Sequence, residues 1–128
     1  MKHKTWVEIS KSALAKNVRA FRNHVGKQTS VMAVVKSNAY GHGLIETARI
    51  ADSAGASWFG VDNVDEGIAL RKNGIKKPIL VLGYTLNSRL KDCVDHGISF
   101  VVYNIETLRA LRLLKLKSRS DFVNIKIE

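Results

Sequence analysis

Lys36 closes a continuous apolar run, Val31-Met32-Ala33-Val34-Val35. A lysine at the point where a buried strand leaves the core is partly desolvated. Desolvation lowers the cost of its neutral amine, the form that attacks an aldehyde. Tyr40 follows with a hydroxyl donor, and Gly41 and Gly43 flank His42. Glycines so spaced let backbone approach a bound group closely. The residue types alone also allow a plainer reading, in which Lys36 ends its strand at the surface and the glycines only turn the chain. His42 reads equally well as a loop histidine making local hydrogen bonds.

The elements that must hold Lys36 alternate between strand and helix. Thr5–Ile9 reads as a short leading strand. Ser10 can cap a helix carrying Leu14, Val18, Phe21 and Val25 on one core-facing stripe, closed by Gly26. The run from Val31 to Val35 is apolar without alternation, which predicts a strand buried on both faces. A helix from Leu44 to Ser53 follows, then strand Trp58–Val61 and helix Val64–Asn73. Strand Ile79–Leu82 comes after Pro78, with helix Leu86–Asp95 behind it. Strand Ile98–Tyr103, helix Ile105–Leu116 and strand Phe122–Ile127 complete the pattern. Successive strands lie roughly 20 to 25 residues apart, the period of right-handed βα units in a parallel sheet.

A doubly wound sheet and a (β/α)8 barrel share this pattern. The glycine-rich phosphate fingerprint of dinucleotide folds is absent after the first strand, which removes one reason for the former. In a barrel, the C-terminal ends of the strands carry the active site, and Lys36 lies at such an end. A complete barrel needs eight units and about 250 residues. About five units fit here, so the chain reads as the front of a longer protein.

Composition excludes other classes. The 128 residues suit one domain, and 45% hydrophobic with 25% charged residues suits a packed core. No apolar run approaches the ~20 residues of a membrane span, and the basic N-terminus leads into no continuous apolar stretch. Cys93 is the sole cysteine, which fits a reducing compartment and hence the cytoplasm. The formal charge of +10, from 21 Lys+Arg against 11 Asp+Glu, raises nucleic-acid binding as an alternative. The basic residues are scattered, however. Their densest group (Arg109, Arg112, Lys115, Lys117, Arg119) has no interleaved aromatics to stack bases. Solvated helix faces are the better account, and neither nucleic acid nor membrane is expected as a partner. Asp65 and Glu66 read as helix-start residues, Cys93 as an inert buried thiol, and Trp58 and Phe59 as core. No metal site is expected.

The string Lys36-Ser37-Asn38-Ala39-Tyr40-Gly41-His42-Gly43 resembles the pyridoxal-phosphate attachment signature of alanine racemases. Its one departure is Ser37, where the family has Ala. The resemblance continues through Trp6-Val7-Glu8-Ile9, Asp65-Glu66, Ala69-Leu70-Arg71 and Pro78-Ile79-Leu80-Val81-Leu82-Gly83, and ends at Lys126-Ile127-Glu128. It implies a (β/α)8 barrel, incomplete here over residues 10–128. Residues 1–9 would supply a leading strand that packs with a β-rich C-terminal domain. It implies a homodimer that interconverts L- and D-alanine for peptidoglycan. Lys36 would bear pyridoxal 5'-phosphate as a Schiff base and act as one of two acid/base groups, the other being a tyrosine of the partner subunit. Tyr40 would bond the cofactor phosphate, Leu82 would line its ring, and Lys126, carbamylated in many members, would orient a nearby arginine. The chain alone is expected to lack useful racemase activity. A non-catalytic pyridoxal-phosphate-binding barrel and a serine-preferring racemase are the alternatives within reach of the same lysine.

Overall fold

A computed structural model of the chain describes residues 4–114 and the backbone of residues 125–127. The first helix, α1 (Lys11–Val25), starts where expected, with the Ser10 hydroxyl accepting the Ala13 N–H at 3.2 Å. It ends at Gly26, whose φ of 76° suits a residue without Cβ. Its stripe is only partly used. Val18 packs against the core, but α1 buries no residue, and Phe21 and Val25 are exposed. Among the described residues α1 packs chiefly against one helix, so one side of its stripe meets solvent.

Five parallel strands follow in sequential order: β1 (Met32–Val34), β2 (Trp58–Val61), β3 (Ile79–Val81), β4 (Ser99–Val102) and β5 (Ile125–Ile127). Each pairs with the next, from Val34↔Gly60 through Gly60↔Leu80 and Leu80↔Ser99 to Val101↔Lys126. This order decides between the two architectures. A doubly wound sheet reverses its strand order at a switch point, and here no reversal occurs. With right-handed crossovers all stepping in one direction, every helix falls on one face of the sheet. The chain forms a sector of a (β/α)8 barrel.

The helices on that face are α3 (Leu44–Ala54), α4 (Val64–Lys72), α5 (Leu90–Asp95) and α6 (Ile105–Leu113), while α2 (Lys36–Tyr40) is a single turn at the end of β1. Strand side chains alternate between faces. Val35, Phe59, Val61, Ile79, Val81, Phe100 and Val102 therefore form one core with Ala48, Ala51, Leu70, Leu90, Cys93 and Leu111 of the helices. Leu108 and Leu114 join Leu111 there, as their spacing predicts.

Several boundaries differ from expectation for identifiable reasons. The first strand is an edge of the sheet rather than a doubly buried strand, and Val34 is 40% exposed. Its pairing does extend beyond β1, through Ser57 N–H to Val31 O and Val35 N–H to Gly60 O, both 2.8 Å. The helix expected over Leu86–Asp95 opens as a 3-10 turn, Asn87–Arg89, before α5. Arg89 holds this junction by bonding Asp65 and Asp92, each at 2.6 Å. Thr5–Ile9 forms no strand, and Trp6 is 70% exposed with its indole N–H on Glu8. A strand needs a neighbour to complete its hydrogen bonds, and none of the described residues offers one. No helix among the described residues is long and apolar enough to cross a membrane.

Arg71, which the charge count assigns to a solvated face, has a structural role. Its guanidinium donates to four carbonyls: Ile75 and Lys77 before β3, and His96 and Gly97 before β4, at 2.7–2.9 Å. It stitches together the ends of the strands opposite Lys36. Arg71→Met would leave these carbonyls unpaired in a half-buried place. A loss of about 2–4 kcal/mol in unfolding free energy is expected by urea titration, with Arg71→Lys falling in between.

Cys93 is fully buried in α5, and burial pushes its thiol up to about 11 from 9.0. The folded state therefore keeps the proton more tightly than the unfolded state. This contribution to stability is complete below pH 9 and is lost as pH rises through 11. At pH 8 a thiol reagent is expected to label Cys93 only at the rate of unfolding, and urea should accelerate it. Rapid labelling of the native chain at pH 8 would contradict this burial.

Candidate active site

Lys36 is the second residue beyond β1, on the rim formed by the C-terminal ends of the strands. The Val35 N–H bonds Gly60 O and the Val35 side chain is buried, so the backbone leading into Lys36 is fixed. The lysine side chain is 37% exposed, and its Nζ lies 3.9 Å from Asp62 Oδ1, itself on a half-exposed side chain at the end of β2. The apolar surroundings expected of Lys36 are thus replaced by solvent on one side and a carboxylate on the other. Asp62 carried no signal in the sequence. Only the pairing of β1 with β2 brings it beside Lys36.

The segment after Lys36 is a turn of left-handed helix. Ser37, Asn38, Ala39 and Tyr40 all have φ between 51° and 55°. Left-handed helical backbone costs L-residues roughly 1–2 kcal/mol each, so surrounding contacts must hold it. The Ala39 methyl is buried in the core, and its N–H bonds Val35 O at 2.8 Å. The Asn38 carbonyl accepts from the N–H groups of Gly41 and Gly43, and its side chain accepts from Leu44 N–H at 2.9 Å. Sequence reasoning assigned the conformational freedom to Gly41 and Gly43. Both do have positive φ, but the left-handed run begins at Ser37. Asn38 was the one hint, because asparagine tolerates this region better than most residues. His42 follows the local reading, with Nδ1 2.9 Å from Ala39 O.

Glu66 crosses between loops. Its Oε2 accepts the Asp62 N–H at 2.8 Å, and its Oε1 accepts the Asn38 N–H at 3.3 Å. Its own N–H is capped by Asn63 Oδ1. The reading of Asp65 and Glu66 as helix-start residues therefore covers part of what they do. Asp65 also pairs with Arg89, which holds its carboxyl below the usual carboxylate range. The β3 exit joins the same cluster, with Gly83 N–H donating to Asp62 O at 3.1 Å. A Cβ on Gly83 would sit 2.3 Å from that oxygen, so only glycine permits this approach.

The other candidates are distributed as follows. Leu82 follows β3, its N–H bonded to Val61 O at 2.8 Å. Its side chain, with those of Met32 and Val34, closes over Gly60 on the face away from the helices, and a Cβ there would meet all three within 3.3 Å. Leu82 and the strand that carries Lys36 thus share one concave wall. Tyr40 is 62% exposed at the end of the left-handed turn. Lys126, in β5, pairs by backbone with Val101 of β4, and its side chain lies outside the described residues. Two further rim residues escaped sequence reasoning. Tyr103 donates its hydroxyl to Leu82 O at 2.9 Å, and its ring centroid is 6.1 Å from that of Tyr84.

Comparison with known proteins gives this rim a family. The model described as "Alanine racemase, N-terminal domain" matches residues 9–128. Alanine racemase 1 of Oceanobacillus iheyensis is 44% identical over 107 residues, covering 84% of this chain and 28% of that protein. Alanine racemase 2 of the same organism is 41% identical over 125 residues, covering 97% of this chain and 32% of that protein. Among solved structures, alanine racemase from Bacillus anthracis with bound L-Ala-P superposes with a TM-score of 0.86 at 31% identity. That match covers 99% of this chain and 32% of that one. Alanine racemase from E. faecalis gives a TM-score of 0.85 at 33% identity, covering 91% and 32%. The chain thus spans no more than a third of the length of these relatives. With the family model matched from residue 9 to residue 128 and the same fold in the solved enzymes, this chain belongs to the alanine racemase N-terminal domain family.

Proposed function

We propose that the chain is the cofactor-bearing front of a pyridoxal-phosphate-dependent racemase that interconverts L- and D-alanine and supplies D-alanine for peptidoglycan. The observation that carries this reading is Lys36, a half-exposed amine at the C-terminal rim, within the Lys36–Gly43 string. The residues present suit the cofactor. Lys36 offers an accessible amine for its aldehyde, and Leu82 with Val34 and Met32 offers an apolar wall for its ring. Tyr40 is exposed, so its hydroxyl is accessible and can donate to a phosphate. Bound there, pyridoxal phosphate would supply an electron sink that acidifies the Cα–H of an amino acid.

The chain's own residues then divide the work. Lys36 binds, and its amine holds or returns a proton at the substrate Cα on one face. Inversion requires a second acid/base group on the opposite face, and we assign it to a tyrosine of a partner subunit in a homodimer. Lys126 is proposed to orient an arginine near the cofactor. The leading residues 1–9 are proposed to pack with a β-rich C-terminal domain. The lone buried cysteine fits a reducing compartment, and we place the activity in the cytoplasm. Similarity to proteins named alanine racemase favours alanine over serine as substrate.

Mixing the chain with pyridoxal phosphate, reducing with borohydride and mapping the peptides tests this directly. The adduct is expected on Lys36 in preference to the other lysines, with a yellow absorption that Lys36→Ala abolishes. Tyr40→Phe should weaken pyridoxal phosphate binding about 5- to 10-fold, the worth of one hydrogen bond. It should leave binding of pyridoxal, which lacks the phosphate, unchanged. No conversion of L-alanine is expected from the 128-residue chain. Label spread evenly over the lysines would sink the assignment.

A further inference from the structure

Glu66 does more than begin a helix. A helix-start role accounts for one of its oxygens, which accepts the N–H of nearby Asp62. The other oxygen reaches 28 residues back along the chain to the N–H of Asn38, inside the left-handed turn. We propose that Glu66 is a positioning residue: its carboxylate, shared between the Asn38 and Asp62 N–H groups, holds the left-handed turn against the rim and so sets the direction of Lys36. For Lys36 this rests on the cofactor reading above; for the turn it rests on geometry alone.

Three observations support the assignment. The turn holds four consecutive non-glycine residues at positive φ, a conformation that does not persist without outside contacts. Its other hydrogen bonds are local, from Ala39 N–H to Val35 O, from Gly41 and Gly43 to Asn38 O, from His42 to Ala39 O and from Leu44 to Asn38 Oδ1, so none attaches the turn to a neighbouring βα unit. Glu66 supplies that attachment as a side chain from the next βα unit. The same carboxylate also fixes Asp62, whose Oδ1 is 3.9 Å from Lys36 Nζ and whose carbonyl receives Gly83 N–H. One side chain thus ties together the exits of β1 and β2, and through Asp62 that of β3.

Glu66→Gln tests the idea with almost no change in shape. An amide has one acceptor oxygen and one NH2, so one of the two backbone donors would face another donor. In the 128-residue chain, hydrogen exchange of the Asn38 amide is expected to accelerate about 10-fold. The HN–Hα couplings of residues 37–40 should lose their positive-φ values. Pyridoxal phosphate affinity at Lys36 should fall about 10-fold, a spectroscopic readout that general destabilisation does not reproduce. Asn104→Ala is the control, because it removes the cap of α6 behind β4, three strands along the sheet from β1. It should leave Asn38 exchange and Lys36 labelling within about twofold, the scatter expected for a site with no shared partners. If Glu66→Gln does not fold, Glu66→Asp keeps the charge with a shorter reach and should release Asn38 likewise. Unchanged Asn38 exchange in the Glu66 variant, or an equal change in Asn104→Ala, overturns the proposal. Failure of the wild-type chain to label at Lys36 defeats the cofactor reading instead, while Asn38 exchange still decides the role of Glu66.

Discussion

The packing of one sheet face against the helices sets everything else in this chain. Phe59, Val61, Ile79, Val81 and Phe100 are buried beneath α3, α4 and α5. Because every crossover steps the same way, no helix among the described residues covers the other face. The sheet must then end in a rim where strand exits stand side by side. Lys36, Asp62, Leu82 and Tyr103 come from four such exits. None is a sequence neighbour of another, and the parallel ladder alone makes them spatial neighbours. This is the general reason that barrel active sites gather at the C-terminal ends of strands.

Local conformation at the rim runs against backbone preference. Four left-handed residues directly after Lys36 are unfavourable in isolation, and stable contacts elsewhere must offset them. The core takes the Ala39 side chain, Asn38 closes the turn on itself, and Glu66 anchors it from outside. Strain of this kind, held by an over-determined surrounding, is typical of sites whose geometry matters to function. Among the described residues, no other non-glycine position has positive φ, the opposite end of the sheet included. There Arg71 satisfies four carbonyls, and its role is stability.

The charge of +10 is a sum of unlike parts. Arg71 and Arg89 are structural, one capping carbonyls and the other joining Asp65 and Asp92. Lys91 pairs with Asp95 along α5. Arg109 and Arg112 lie exposed on α6, as a solvated helix face requires. Net charge counts these alike, whereas their energetic roles depend on burial and partners.

Much was readable from the residues themselves. Hydrophobic period and glycine stops placed β2 and most helices, because those signals are local. The Lys36–Gly43 string pointed to the family that comparison shows. Cys93 was legible as buried, and His42 as locally bonded. Tertiary structure decided the rest. The strand order chose a barrel sector over a doubly wound sheet, since pairing between strands leaves no trace in either strand alone. The edge position of β1 exposed Val34, and Thr5–Ile9 has no strand partner among the described residues. The left-handed turn, Asp62 beside Lys36 and Glu66 on Asn38 all depend on contacts between separate βα units. A sequence determines which residues prefer to be buried or extended; only packing determines which of them meet, and in this chain the surroundings of Lys36 consist of such meetings.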